Sequence, residues 1–232
     1  MRHPLTTHYK KYDFFSKSRL IFSALSSTLR KVGLGQSSIS RRTISPMKQR
    51  YIYVLLMRMP DTVSKALSLW MRFHYTHVSI GLDEDLEHFY SFGYSGFRIE
   101  SIERFNNSDK GPFPCALYQI PVSEHTYDRV KQQLMSFVDR KENFKFHLFG
   151  VALALFRIRH KFEGRYFCSQ FVSEVLHECE VMPQHKHSSL FMPRDFSKQK
   201  ELRLVFQGMM TSLPAIAITL EETAEILSHL SL

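Results

Sequence analysis

At 232 residues the chain has room for one domain, or one domain and a tail, and an apolar fraction of 44% with 20 Phe is enough for a real core. Its three Cys are odd in number and show no CxxC, which suggests neither a disulfide framework nor a zinc site and points to reduced thiols in a cytoplasmic compartment. The formal charge of +9 is uneven: residues 1–50 hold eleven Lys/Arg against Asp13 alone, whereas residues 51–232 hold twenty Lys/Arg against twenty-one acids.

The charge therefore belongs to a basic, Ser-rich arm over residues 1–46, which is expected to be a solvated, disordered extension. Its charge would suit contact with an anionic membrane, and no motif for specific nucleic-acid recognition accompanies it. Within the arm, Leu20, Ile21, Ala24, Leu25 and Leu29 share one helical face between basic flanks, like an interfacial helix or a transit-like peptide. The well-patterned sequence begins just after Met47, which makes Met47 an alternative start. The longest apolar stretch, "LFGVALALF" at 148–156, is far short of the roughly 20 residues a membrane-spanning helix needs.

The folded part, 47–210, opens with "YIYVLLMR" at 51–58, a β-branched and aromatic run that reads as a buried strand. Asp61 then N-caps a helix expected to turn Val63, Ala66, Leu67, Trp70 and Met71 inward. "THVSIGL" (76–82) and "HFYSFGY" (88–94) flank the acidic turn "DEDLE" and predict a hairpin. "FRIESI" (97–102) and "CALYQIPV" (115–122) are further strands around a loop at 106–114. Ser123 starts a helix with Tyr127, Val130, Leu134, Phe137 and Val138 on one face. Residues 144–158 predict a largely buried helix. In "YFCSQFVSEVLHE" (166–178), Phe171, Val172, Val175, Leu176 and Cys179 form the apolar face of another. A loop at 188–196 and a strand at 202–208 follow, and Thr219 with Glu222 makes a capping box in a tail covering 211–232. Together these elements predict an α+β domain with an antiparallel sheet of about five strands.

Cys168 falls at the start of its helix, where unpaired N–H groups and the positive end of the helix dipole favour thiolate, the nucleophilic form of cysteine. Cys115 in a strand and Cys179 on the apolar face read as core thiols. A base must come within hydrogen-bond reach of a nucleophilic sulfur. Of twelve His, His77 stands apart, because a position at the start of a strand holds its ring rigidly.

"FHYTHVSIGLDEDLEHFYSFG", followed 91 residues after His77 by "YFCSQFVSEVL" and then by the "MPRDF" loop, resembles the permuted papain-like cysteine amidases and peptidases. These are the circularly permuted branch of the NlpC-type cell-wall hydrolases, related in architecture to lecithin:retinol acyltransferase-like enzymes. In that branch the His strand precedes the Cys helix, as here, and the resemblance covers roughly residues 50–210. It implies a circularly permuted papain-like (NlpC-type) fold, Cys168 as nucleophile and His77 as general base. It also implies a polar residue on the strand after the His strand that orients the imidazole. Here His88 or Ser91 is available, with Tyr90 an outside choice, and no carboxylate stands on that strand, which leaves room for a polar third member. Gln170 stands either as a substrate contact or as an exposed helix residue.

The implied chemistry is hydrolysis of an amide-linked, peptide-like substrate through a thioester, with neither metal nor organic cofactor required. Two other readings stay open: a lipid-directed thiol acyltransferase or lipase acting on an acyl substrate at a membrane surface, and a non-catalytic binding module that keeps the fold. The charge imbalance of the arm gives a first prediction. Deleting residues 1–46 should leave the thermal midpoint nearly unchanged, and a large drop would mean that the arm packs on the domain.

Overall fold

Tyr51 to Met57 are apolar without interruption because the strand they form, β1 (Arg50–Met57), is covered on both faces. Ile52, Val54 and Leu56 point into one core cluster, and Tyr53, Leu55 and Met57 into a second on the opposite side. The computed structural model describes residues 49–82, 86–109, 111 and 113–216, with the backbone alone at residue 63. The basic arm at 1–46, its helical face from Leu20 to Leu29, most of the acidic turn after Leu82 and the capping box at Thr219 lie outside the described residues.

Around β1 stand β2 (His77–Gly81), β3 (His88–Gly93), β4 (Gly96–Ser101), β5 (Pro114–Val122) and β8 (Arg203–Met209), in the order β4-β3-β2-β1-β5-β8. Every pairing is antiparallel, and the sheet has six strands rather than about five. β2 and β3 form the expected hairpin, with Ile80 opposite Tyr90 and Gly81 opposite Phe89. A short parallel ladder of β6 (Lys145–Phe146) and β7 (Arg165–Tyr166) stands apart, and nothing in the sequence pattern signalled it.

The helices are α1 (Thr62–Met71), α2 (Ile102–Asn106), α3 (Glu124–Asp139), α4 (Leu148–Leu155), α5 (Cys168–Glu178) and α6 (Pro193–Phe196). Asp61 caps α1 by accepting the Ser64 N–H at 2.9 Å, and Ser123 caps α3 by accepting the Thr126 N–H at 3.1 Å. α3 and α5 cover one face of the sheet with Tyr127, Val130, Leu134, Phe171, Val175 and Leu176. On the other face Phe89, Leu117, Ile102, Phe113, Met210 and Leu213 make the second cluster. Leu213 lies in the segment read as tail, yet it is fully buried, so the folded body runs past residue 210.

Two helical expectations need correction. α1 is rotated from its expected face: Ser64, Leu67 and Met71 turn inward, while Ala66 is exposed and Trp70 is 64% exposed. The apolar 144–158 stretch is not one buried helix. It begins as β6, is helical only over α4, and buries Gly150, Val151 and Ala154 while leaving Leu148, Phe149, Phe156 and Ile158 in solvent. Uniform apolarity carried no period from which to tell its inner face.

The start of α5 is locked by aromatic packing. Phe171 lies 5.1 Å (centroid to centroid) from Phe92, 4.9 Å from Phe137 and 5.7 Å from Phe97, and Tyr166 lies 5.1 Å from Phe92. Each such pair adds to simple burial through edge-to-face or tilted contact. Phe171→Ala should therefore lower unfolding stability by about 3–5 kcal/mol in a denaturant titration. A loss of under about 1 kcal/mol would mean that the cluster does not anchor α5.

Candidate active site

β2 and β3 pair at Ile80 and Gly81 but not nearer the start of β2, although β3 stays paired with β4 as far as Gly93. The ladder thus opens beside Val78, whose N–H and C=O point into the gap. Ser91 fills part of it, donating from Oγ to the Val78 carbonyl at 2.6 Å. The Val78 N–H goes to the sulfur of Cys168, which also accepts the N–H of Ser169 in the first turn of α5. Phe167, at the N-cap, makes no side-chain capping bond, so the N–H groups of that turn are not taken by a cap.

His77 opens β2 and is 5% exposed. Its Nε2 meets Glu100 Oε1 at 2.8 Å, and its ring is hydrogen-bonded to Cys168, which leaves Nδ1 as the nitrogen facing sulfur. Glu100 sits on β4, two strands away. Strand alternation and the register place His77, Ser79, Ser91, Arg98 and Glu100 on one face of the sheet. The carboxylate reaches His77 over the small Ser91. Its Oε2 accepts a short hydrogen bond from Ser79, and its Oε1 also takes Arg98 Nε at 2.7 Å and Arg98 Nη2 at 2.6 Å. Gly93 makes room for the guanidinium, since a Cβ there would stand 2.5 Å from Arg98 Cζ.

Burial raises the Glu100 pKa, but the His77 and Arg98 charges and the bonds from His77 and Ser79 overcome it and hold the group at about 2. Burial likewise lowers His77, and the charges of Glu100 and Cys168 with hydrogen bonds to both reverse this and lift it to about 10. For Cys168, burial pushes the thiol up, while the His77 charge and bond and the Val78 and Ser169 N–H groups bring it below its ordinary value. Cys115, with burial alone acting, is pushed up to about 12, and Cys179 is raised by burial. All three cysteines are free. The arrangement is a thiol–imidazole pair with a carboxylate behind it, and its charges and hydrogen bonds favour the thiolate and imidazolium forms, the combination suited to attacking an electrophilic carbonyl and handing a proton to a leaving group. Among the described residues no cluster of three His, Cys, Asp or Glu is arranged to hold a metal ion.

Of the residues singled out in the sequence, Cys168 and His77 are brought together and the others are not. His88 is exposed on β3, where Glu87 Oε2 lies 3.9 Å from its Nδ1. Ser91 shares the face of His77, but its hydroxyl is committed to Val78. Tyr90 points into the helix-side core. The residue that holds the imidazole is Glu100, from the "FRIESI" strand, one strand beyond the one that supplied His88, Ser91 and Tyr90 as candidates. Arg98 and Glu100, two apart on one strand and hence on one face, were the signal in the sequence. Gln170 is neither exposed nor part of the cleft. It is fully buried, and its side-chain amide has no hydrogen-bond partner among the described residues.

The site lies in a cleft of about 630 Å³ walled by Met59, Leu67, Met71, Phe92, Phe146 and Val151, with Phe167, Met192 and Tyr94 completing it. The Tyr94 phenol donates to Asp61 Oδ1 at 3.2 Å, and its pKa is raised by burial, then by Asp61 and by the charge of Cys168. A scan against protein-family models finds no match to this sequence, and neither does a search of curated proteins.

The geometry fixes what a thiol titration should read. Without the Glu100 carboxylate the imidazolium loses its proton at lower pH, so the thiolate loses its counter-charge and its pKa climbs. Iodoacetamide should alkylate Cys168 ahead of Cys115 and Cys179, with an apparent pKa below about 8.5. Both His77→Ala and Glu100→Gln should raise that value by about one unit or more, slowing alkylation near neutrality about tenfold. A Glu100→Gln profile superimposable on the wild type would show that the carboxylate does not act on the pair.

Proposed function

We propose that the protein is a cysteine hydrolase of permuted papain-like (NlpC-type) architecture, cleaving an amide-linked, peptide-like substrate through a thioester. The observation that carries this reading is the Cys168–His77–Glu100 chain of hydrogen bonds at the start of α5. The order of the elements supports it too, with the His strand first and the Cys helix after it. In this reading the Cys168 thiolate attacks the carbonyl carbon and the C=O π pair moves to oxygen. The Cys168 backbone N–H at the helix start stabilises that oxyanion. Collapse breaks the C–N bond, and the imidazolium of His77 gives its proton to the departing amine. Neutral His77 then takes a proton from water, hydroxide adds to the thioester, and the acid leaves with Cys168 restored as thiolate. Glu100 keeps the ring oriented and stabilises its charged form, and Arg98 and Ser79 hold Glu100. Three free thiols fit a reducing, cytoplasmic setting.

A second reading, a lipid-directed thiol acyltransferase or lipase using the same residues, is favoured by one feature. Eight Met, Leu, Phe and Val side chains stand in the wall of the cleft, and they suit an acyl chain better than a charged peptide. A non-catalytic binding module is disfavoured by the lowered thiol pKa, since a binding site has no need of a thiolate. The deciding experiment compares wild type with Cys168→Ala on pools of peptides, cell-wall fragments and lipid esters. Cleavage of an amide-linked pool, lost in Cys168→Ala, is the expected result. Turnover of lipid esters alone would move the assignment to the second reading. Wild type inert on all three pools, or Cys168→Ala as fast as wild type, would sink both enzyme readings.

A further inference from the structure

Ten large hydrophobic side chains are well exposed among the described residues, and six of them sit on or beside two helices. Leu69 (83%) and Trp70 (64%) belong to α1; Leu148, Phe149 (63%), Phe156 (68%) and Ile158 belong to α4 and its exit. The two groups meet: the Trp70 and Phe156 rings lie 6.4 Å apart. The inner sides of the same helices supply Leu67, Met71 and Val151 to the Cys168 cleft. Exposed apolar side chains gathered in this way mark a contact surface.

The charges around them indicate what is contacted. Residues 62–82 contain no Asp or Glu, and neither do residues 144–162, although residues 51–232 as a whole hold twenty Lys/Arg against twenty-one acids. Lys65, Leu69 and Arg72 run along one side of α1 at helical spacing, and the α4 exit alternates Phe156, Arg157, Ile158 and Arg159. These four cations are exposed, and none pairs with a carboxylate among the described residues. A groove of about 850 Å³ between the two helices adds Lys186 and Arg194 beside Arg157, against the single acid Asp195, which Lys186 already engages at 2.8 Å. Aromatic and aliphatic side chains set among unpaired Lys and Arg are the signature of an interfacial surface. A symmetric dimer through this surface would place cations against their own copies, which opposes a second chain as occupant.

We propose that the outer faces of α1 and α4 dock the folded domain onto an anionic lipid bilayer. Trp70, Phe149 and Phe156 enter the headgroup boundary while Arg157 and Arg159 meet the lipid phosphates and carboxylates. Docking here places the two walls of the Cys168 cleft against the bilayer surface, independently of residues 1–46 and of which bond the site cleaves.

Trp70 is the only tryptophan in the chain, so it reports on this surface alone. The full chain is mixed with phosphatidylcholine vesicles, with or without about 30 mol% phosphatidylserine, and followed by flotation and Trp emission. Flotation with the anionic vesicles only, a blue shift of Trp70 and quenching by brominated lipid are expected, all weakening with salt. Arg157→Glu/Arg159→Glu and Phe149→Ser/Phe156→Ser should each reduce vesicle partitioning about tenfold or more, with Cys168 alkylation and thermal midpoint unchanged as controls on folding. Flotation without any change at Trp70 would assign binding to residues outside this surface and overturn the proposal. So would the absence of flotation, or a blue shift that grows with protein concentration in the absence of lipid, which would identify a second copy as the occupant. None of these outcomes depends on Cys168 chemistry, so the hydrolase reading is decided separately.

Discussion

Everything at the candidate site depends on one break in a β-ladder. Had β3 continued alongside β2 to its first residue, the Val78 N–H would bond a β3 carbonyl and no gap would exist. The strands part instead, and the freed N–H holds the Cys168 sulfur while Ser91 satisfies the carbonyl. The start of α5 fits into that opening because Phe92, left unpaired with β2, packs on Phe171 and Tyr166. The hydrogen bonds lost by the sheet are thus replaced on both sides, by a cysteine sulfur and by a serine hydroxyl. The aromatic cluster keeps helix and strand in register.

The second constraint is charge. His77 stands between Glu100 and Cys168, and its imidazolium is favoured because both lie within hydrogen-bond reach. Glu100 in turn remains ionised at depth because three donors, from His77, Ser79 and Arg98, converge on it. The linkage to stability has two signs. Glu100, depressed to about 2, contributes stability above its ordinary value of 4.5, and that contribution fades as pH falls toward 2. His77, raised to about 10, contributes fully below 6.5 and loses its contribution as pH rises through 10. The pH range that favours the paired fold is therefore the range in which Glu100 is ionised and His77 holds its proton.

Much of this architecture was legible in the sequence because burial there was periodic or complete. The strands of 51–58, 76–82 and 88–94 and the apolar face of α5 announced themselves, and helix-start position with strand-start position picked out Cys168 and His77. Glu100 was missed because the third residue was sought on the adjacent strand, whereas a carboxylate carried on a longer side chain reaches over a Ser from the strand beyond. α1 was misjudged for a different reason. Its apolar residues cover more than one face, so period alone could not separate the side that lines the cleft from the side left to solvent. The excess apolar residues on α1 and α4 were visible as composition, but only the fold shows that they converge.

The buried polar cluster sets a further limit on what this domain can be. Taking ions out of water costs several kcal/mol each, and a well-packed apolar side chain in the same place is commonly as stable or better. The second core cluster, with Leu55, Phe89 and Leu117 close to fully buried, shows that this face of the sheet can be filled by hydrocarbon. Where His77, Ser79, Arg98 and Glu100 stand, the same face instead carries a network whose four members satisfy one another and whose one outlet is Cys168. Each member satisfies a buried partner, and a buried polar network left partly satisfied is costly, so the set works as a unit. Packing alone gives no reason for such a unit at the mouth of an apolar cleft; the control of one thiol does.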